Sequence, residues 1–449
     1  MGGRAIGCWL LWSIGILLLA ETAGAQSYLP PPPAKPVVSR DVTADLVEEE
    51  DTGENDLEVY QATAMQPAPA GAPSLSTRGA TSAPSRSSAR PSMNRLASAP
   101  DMFGDFFMSG GNLNFGRNDQ GAANGLAPTA GSFSIPSAGG SRRVKIAENN
   151  KAMPDDRLIF SYNHFENALQ YTETPLLNPA ARVTQSFPID RYTMGIEKTF
   201  LDGLWSCEVR MPFQGAFGFE GTDQTGTGGQ IGNLAVILKH LLVEDDDFAF
   251  AIGLGIDIPT GSDFTLIDRS GSPPFPQPTR FTFYNDSLHL LPYAGFLFAG
   301  DRPYFINCFL QVDIATNGNR IDAGPVNGTA DNLGLFTEQN LLFFDLGTGF
   351  WLYRDEVDDG GLTSLAAILE FHYTSSLQDT DVINATVGGR PINYRNNFNR
   401  FDVVNITTGL QAQLFDNTSV RVAGVFPLGS ADDERFFDSE LQVQINRKF

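Results

Sequence analysis

Cysteine, histidine and basic charge are all scarce in this chain. Its 449 residues include 3 Cys and 4 His. No Cys-x-x-Cys pair and no His/Cys cluster occurs, so a transition-metal site has no ligand set to rest on. No metal and no cofactor are expected. The 30 Lys and Arg are outnumbered by 52 Asp and Glu, for a net charge of −22. Nucleic-acid phosphates require a basic footprint, so the charge argues against a nucleic-acid partner. An acidic balance suits a solvated surface rich in divalent cations, but by itself identifies no partner. Past residue 25 no stretch reads as a membrane-crossing helix, which needs roughly 20 apolar residues.

What is present points to export and to sheet. Hydrophobic residues make up 42% of the chain, enough for a large folded body. The 34 Phe and 45 Gly suit strands that carry bulky outward side chains and closely approaching backbones. Residues 1–25 have the form of a signal peptide. Arg4 supplies the positive end, Ile6 to Ala20 the apolar core, and Ala23-Gly24-Ala25 the small residues before a cleavage point at Gln26. Cys8 lies within the apolar core rather than at the cleavage point, which disfavours a lipoprotein.

Residues 26–100 are expected to form a disordered periplasmic tether. They include the proline run Pro30 to Pro33, the acidic stretch Asp41 to Glu58, and an Ala/Pro/Ser-rich remainder with little to bury. Residues 101–156 hold a small apolar cluster, Met102, Phe103, Phe106, Phe107 and Met108, in a Gly-rich setting. Plug, docking segment and partner-binding segment all remain open for it.

From about residue 157 the period becomes two. In 248–259, Phe248, Phe250, Ile252, Leu254, Ile256 and Ile258 share one face, with Ala249, Ala251, Gly253, Gly255 and Asp257 opposite. The segments 204–213, 340–353 and 402–414 repeat the pattern. Weaker versions occupy 157–166, 190–199, 232–243, 287–299, 304–315, 362–374, 418–428 and 438–449. Each is long enough for a tilted membrane crossing. Pro292 interrupts 287–299 and predicts a bulge or a later strand start there.

The connections sort into short links (200–203, 244–247, 300–303, 415–417, with 354–361 modest) and mostly long ones (167–189, 214–231, 260–286, 316–339, 375–401, the last, 429–437, being shorter), which alternate. Transmembrane barrels have short periplasmic turns and long external loops. In hydrocarbon an unpaired strand edge costs several kcal/mol per group, so such a sheet must close. The fold class expected is therefore all-β: an up-and-down antiparallel transmembrane β-barrel of about 12 strands over 157–449, preceded by a disordered N-terminal segment.

The last strand ends in Phe449, with Ile445, Val443 and Leu441 on the same face. It resembles the C-terminal signature of bacterial outer-membrane barrels, whose terminal aromatic is read by the barrel-assembly machinery. Arg447 departs from that signature, since an apolar residue usually stands there. Pro259-Thr260-Gly261 is similar to a feature of channel-type barrels. The Ser/Pro-rich leader and the stretch from Glu148 to Asn163 resemble uncharacterised planctomycete outer-membrane proteins. The resemblance implies the outer membrane of a Gram-negative-type bacterium. The implied partners are membrane lipid, a lipopolysaccharide-like outer leaflet, the assembly machinery, and a homo-oligomer or envelope protein.

Alternation assigns Arg191, Glu197, Glu208, Arg210, Lys239, Asp257, Asp313, Asp345, Glu370, His372 and Arg421 to the lumen, with Asn405, Gln411, Gln413, Gln442 and Gln444. His372 reads as the only inward histidine. Mixed charges suit either a water-filled path or a sealed interior. Cys207 and Cys308 fall on the outward face of non-adjacent strands and are expected to be free thiols. The loop residues Tyr284, Tyr394, Phe275, Phe283, Phe398, Asp268, Asp322 and Asp379 are candidate ligand contacts. No catalytic group is assigned, because Ser364 lies too far along its strand to be activated by His372. The functional expectation is a porin-like channel for passive diffusion of small solutes. The alternative is a structural barrel that anchors a periplasmic arm or joins a surface assembly.

Overall fold

A computed structural model describes residues 95–106, 108, 110–115, 129–136, 143–175, 179–215, 224–269, 278–354, 361–415, 417–429 and 435–449. The signal-peptide segment and residues 26–94 of the tether lie outside these, as do Phe107 and Phe275. Residues 95–100, assigned to the tether from composition, are ordered into a short helix, α1 (Arg95–Ser98), and its continuation, with Leu96 buried.

The strands in chain order are β1 (Gly111–Phe115), β2 (Thr129–Ile135), β3 (Arg157–Pro175), β4 (Val183–Phe200), β5 (Trp205–Gln214), β6 (Gln224–Gly228), β7 (Leu234–Glu244), β8 (Phe248–Ile258), β9 (Phe264–Asp268), β10 (Thr279–Phe283), β11 (His289–Phe298), β12 (Tyr304–Ala315), β13 (Asn319–Pro325), β14 (Asp331–Phe336), β15 (Leu341–Arg354), β16 (Leu362–Ser376), β17 (Val382–Val387), β18 (Arg390–Arg395), β19 (Asp402–Leu414), β20 (Thr418–Leu428) and β21 (Ser439–Lys448).

Twelve of them close into a ring in the order β3-β4-β5-β7-β8-β11-β12-β15-β16-β19-β20-β21. Closure falls on β3, where Tyr162 stands opposite Tyr192 of β4 on one side and Val443 of β21 on the other. All pairings in the ring are antiparallel, and each ring strand corresponds to one of the alternating segments. The outward face is apolar: Leu158, Ile196, Leu254, Leu310, Phe350, Leu410 and Phe426 are all exposed. A surface this greasy is stable only against lipid.

Two expectations need correcting. Pro292 causes neither a bulge nor a late start. β11 begins at His289 and keeps its register with β12 on either side of the proline, and only the pairs opposite Leu291 and Pro292 drop out of that ladder. A missing N–H is tolerated because the partner ladder on β8 is continuous there. The long links are also not open loops. β3 and β4 run beyond the ring as a protruding hairpin, and the other long links contribute two further arrays of strands.

One array is the five-stranded sheet β14-β13-β10-β9-β6. The other extends the distal part of β3 through β2, β1 and β18 to β17. Their apolar faces meet in one core that includes Leu113, Phe133, Tyr171, Leu266, Phe281, Ile321, Phe336 and Tyr394. This core caps the long-loop rim, which by the loop rule is the external one. Phe283 and Tyr394, read from sequence as candidate loop contacts, are buried in it, and the Tyr394 hydroxyl donates to the Gly110 carbonyl at 2.6 Å. Asp268 is also buried, paired with Arg390 at 3.1 Å. Asp379 pairs with Arg400 at 2.7 Å, and Asp322 with Arg320 at 3.6 Å. Arg320 lies over the Tyr284 ring at 3.8 Å, and Phe398 packs on Phe436.

Cys207 on β5 and Cys308 on β12 are free. They lie on strands that do not pair with each other.

Candidate functional site: the filled lumen

The alternation that makes one wall face greasy makes the other polar, and all the charged residues assigned to the lumen are buried, none more than 4% exposed. They do not line an open path. The interior is occupied by the protein's own N-terminal segment, which runs up the barrel through residues 95–106 and returns through 143–156. Between these passes, β1 and β2 form a hairpin in the external cap. The two passes touch where the Met102 amide donates to the Asn150 carbonyl at 2.8 Å. Gly104 has φ +81°, and a Cβ there would stand 2.7 Å from the Glu148 Cα, so this crossing requires glycine.

The wall grips the segment through matched charges at successive heights. Nearest the cap, Arg143 of the return pass lies between Asp313 (2.9 Å) and Glu338 (3.0 Å), while His289 Nδ1 meets Asp313 at 2.6 Å. At mid-height Lys145 binds both Asp105, on the ascending pass, and Asp345, on the wall, the latter at 2.6 Å. His372 Nδ1 meets the same Asp345 at 2.7 Å, and its Nε2 meets Thr407 Oγ1 at 3.0 Å. Glu370 accepts the amides of Phe103 (2.7 Å) and Gly104 (3.2 Å).

Arg421 donates to the carbonyls of Asp101 and Met102, to Asn149 and to Gln444, with its guanidinium 4.1 Å above the Phe103 ring. Nearer the short turns, Glu197 accepts from Arg157 (2.7 Å) and from Lys239 (2.9 Å), and Lys239 also reaches Asn150 at 2.8 Å. Arg191 holds Glu148, and Arg210 holds Glu208. Asp257 is fully buried with both carboxylate oxygens unpaired among the described residues.

Apolar contacts fill the space between the charges. Phe103 packs against Gly409, where a Cβ would come within 2.8 Å of its ring. Leu96, Phe103 and Met153 join Ala249, Ala251, Leu297 and Phe305 of the wall in one cluster. Met102 and Ile146 join Leu291, Tyr293 and Phe309 in another.

At the short-turn rim a cavity of about 400 Å³ remains beside the entering segment, lined by Asp101, Lys151, Arg157, Arg354 and Lys448 among others. Ligand atoms of Asp105, Asp345 and His372 lie within 4.8 Å of one another, a spacing that could hold a metal ion. The Lys145 ammonium already sits between the two carboxylates and His372 Nδ1 meets Asp345, so these ligand atoms are already engaged with one another.

His289 is a correction to the sequence reading. It faces inward like His372 and is 1% exposed. Its strand hid it, because the inward side of β11 is itself apolar (Leu291, Tyr293, Leu297) where it packs on the plug and its neighbours. With both faces greasy, no alternation marks which way His289 points. Arg157 was missed at a strand boundary. The segment's own half of the network (Asp101, Asp105, Arg143, Lys145, Glu148) was missed because nothing in its spacing shows that it lies within a barrel. Its one signal is charge of both signs placed among Phe, Met and Ile in a segment without period.

A closed antiparallel ring, apolar outside and polar within, is the architecture of a bacterial outer-membrane β-barrel, and that is the class to which the fold assigns this protein. No family model and no curated protein matches the sequence. Several solved structures are similar in fold. They include an outer membrane channel from Pseudomonas putida F1 (10% identical, TM-score 0.39, covering 67% of this chain and 97% of that one). The translocator domain of the autotransporter NalP from Neisseria meningitidis is also similar (9%, TM-score 0.38, 66% and 88%). So is the NanC porin (6%, TM-score 0.34, 66% and 100%). Likeness at this level brings no activity across to this chain.

Proposed function

We infer that the protein is a porin-like channel of the outer membrane, held shut by its own N-terminal segment, through which small solutes diffuse when that segment leaves the wall. The observation that carries the reading is the chemistry of the wall. A barrel filled only for rigidity gains more from apolar side chains, since a buried ion pair recovers little beyond its desolvation cost. Here the wall instead presents Arg421, Lys239, Glu197, Glu370 and Asp345, groups that water can solvate once the segment is displaced. Lipid surrounds the barrel, a lipopolysaccharide-like leaflet meets its outer rim, and Phe449 serves the assembly machinery.

Planar-bilayer recording tests this. The intact protein is expected to stay closed apart from rare openings, and a barrel lacking residues 26–156 to give discrete conductance steps. A truncated barrel that folds, as judged by heat-modifiable gel mobility, yet carries no current would rule the channel out. The cap favours a second reading, in which the barrel is a structural anchor or a subunit of a surface assembly. Because β1 and β2 are built into the external sheet, the segment is tied to both rims. That reading predicts a homo-oligomer or a co-purifying envelope protein.

A further inference from the structure

The external sheet made by β18, β1, β2 and the distal part of β3 has two unlike faces. Alternate residues Leu113, Phe133, Tyr171 and Tyr394 point into the cap core. The residues between them, Asn112, Asn114, Ser132 and Thr172, form a polar face. Register sets Asn112 opposite Arg395, Asn114 opposite Ser132, and Ser132 opposite Thr172. A cavity of about 380 Å³ lies on this face, lined by these four, Gln170, Asn397 and two arginines, Arg182 and Arg395. No aliphatic, aromatic or acidic side chain lines it among the described residues.

Hydrogen bonds within the face leave donors and acceptors over. Ser132 Oγ donates to Asn112 Oδ1 at 2.6 Å, and the Asn112 NH₂ group has no acceptor among the described residues. The Asn114 amide donates to Asn393 at 3.4 Å, and its own side-chain carbonyl has no donor among the described residues. Neither Arg182 nor Arg395 has a hydrogen-bond or ion-pair partner among the described residues. The two guanidiniums stand beside an acid-free pocket in a chain of net charge −22, whereas the nearby Arg390 is matched to Asp268.

We propose that this pocket binds an acidic saccharide, a sugar unit carrying hydroxyls together with a carboxylate or phosphate. Side-chain amides and hydroxyls both donate and accept, which matches sugar hydroxyls. Guanidinium forks match a carboxylate or phosphate with two parallel bonds. A free inorganic anion would use the arginines and leave the amide row idle. A neutral sugar would do the reverse. A peptide would need apolar side-chain pockets or a free strand edge, and the lining offers neither. The site stands whether or not solute crosses the barrel. Two sources share the chemistry: the sugars of lipopolysaccharide around the rim, and soluble polyuronate outside the cell.

The test uses full-length protein in detergent and calorimetric titration with three probes: alginate oligosaccharides, neutral dextran of equal length, and lipopolysaccharide. Alginate, lipopolysaccharide or both are expected to bind, with dextran about tenfold weaker or worse. The double variant Arg182→Ala/Arg395→Ala is expected to lose about tenfold in affinity for whichever acidic probe binds. Both arginines are exposed, so retained heat-modifiable mobility should confirm that the variant folds. Binding of alginate assigns the soluble source, and binding of lipopolysaccharide alone assigns the lipid-borne one. No binding of either acidic probe, or binding that the double variant leaves unchanged, overturns the proposal.

Discussion

The lumen and the cap are both filled in part by the same short segment, yet by opposite means. Inside the ring it meets the wall through Lys145, Asp105, Asp101 and Arg143, with phenylalanine and methionine between. Above the ring, β1 and β2 contribute Leu113, Phe115, Phe133 and Ile135 to an aromatic and aliphatic core. The difference follows from what each surface faces without its partner. The inner wall faces water until the segment docks, so it must be wettable. The cap core forms only as its two sheets meet, so it can be greasy. On the proposed reading, charge marks the joint that separates and apolar burial the one that holds.

The sharpest way to break this comparison is Lys145→Met. It takes the ammonium from between Asp105 and Asp345 and leaves them only His372, a loss of about 3–5 kcal/mol for a buried group stripped of a charged partner. The expected result is selective. Hydrogen exchange and limited proteolysis should find residues 95–106 and 143–156 released while the ring strands stay protected, and bilayer recordings should show more frequent opening. Uniform loss of protection over the whole chain would mean that the segment is part of the barrel's folding core rather than a separable plug.

Phe133→Ala tests the other half. The side chain is 1% exposed and packs on Tyr171, so its removal should cost about 3 kcal/mol by lost burial and cavity formation. Loosening should be confined to the cap and should not raise conductance. If this variant opens the pore as readily as Lys145→Met, the two regions are one cooperative unit. A smaller effect is expected of Tyr394→Phe, which removes one buried hydrogen bond to Gly110 at the junction of the regions. About 1 kcal/mol of cap stability should go, read as a modest rise in exchange of β1.

The weakest expected effect is on pH. At the periplasmic rim, burial nudges the Asp156 carboxyl up, but hydrogen bonds from Lys198 at 2.5 Å and the Thr199 amide at 2.6 Å outweigh it and hold it below its ordinary range. A carboxylate depressed in the folded state stabilises above its unfolded pKa and loses that contribution as pH falls through its folded value. Protection of the amides at the start of β3, taken relative to their intrinsic exchange rate, should therefore be flat from neutral pH down to about 4 and fall only below that. A loss of protection between pH 8 and 6 would point to a different group.

The ring was legible in the sequence because lipid enforces a strict rule: every second residue in a crossing strand must be apolar. Phe248 to Ile258 obeys it visibly, and the alternation of short and long links set the order. What lies inside the ring follows no such rule. Lys145 and Asp345 are 200 positions apart, and their pairing is fixed by the height at which the segment passes the wall, a quantity no local pattern encodes. The cap was hidden for another reason. Its strands are mostly five to seven residues long, β9 and β10 having five each, too short for alternation to stand out from loop sequence. Phe283 and Tyr394 consequently read as loop aromatics when they are core.

β3 has a double duty whose consequence concerns the order of assembly. It is the first member of the ring and is covalently continuous with the segment that occupies the bore, while its other neighbour, β21, is the ring strand farthest from it in chain order. Theirs is the one pairing of the ring that joins strands not consecutive along it in chain order. The hairpin of β1 and β2 stands at the far rim, paired to β18 and β3, so it is easier to lay in place beside an open sheet than to push through a finished cylinder. The seam between the first and last strands thus acts as a deadline: whatever the protein carries inside has to be seated before those edges meet.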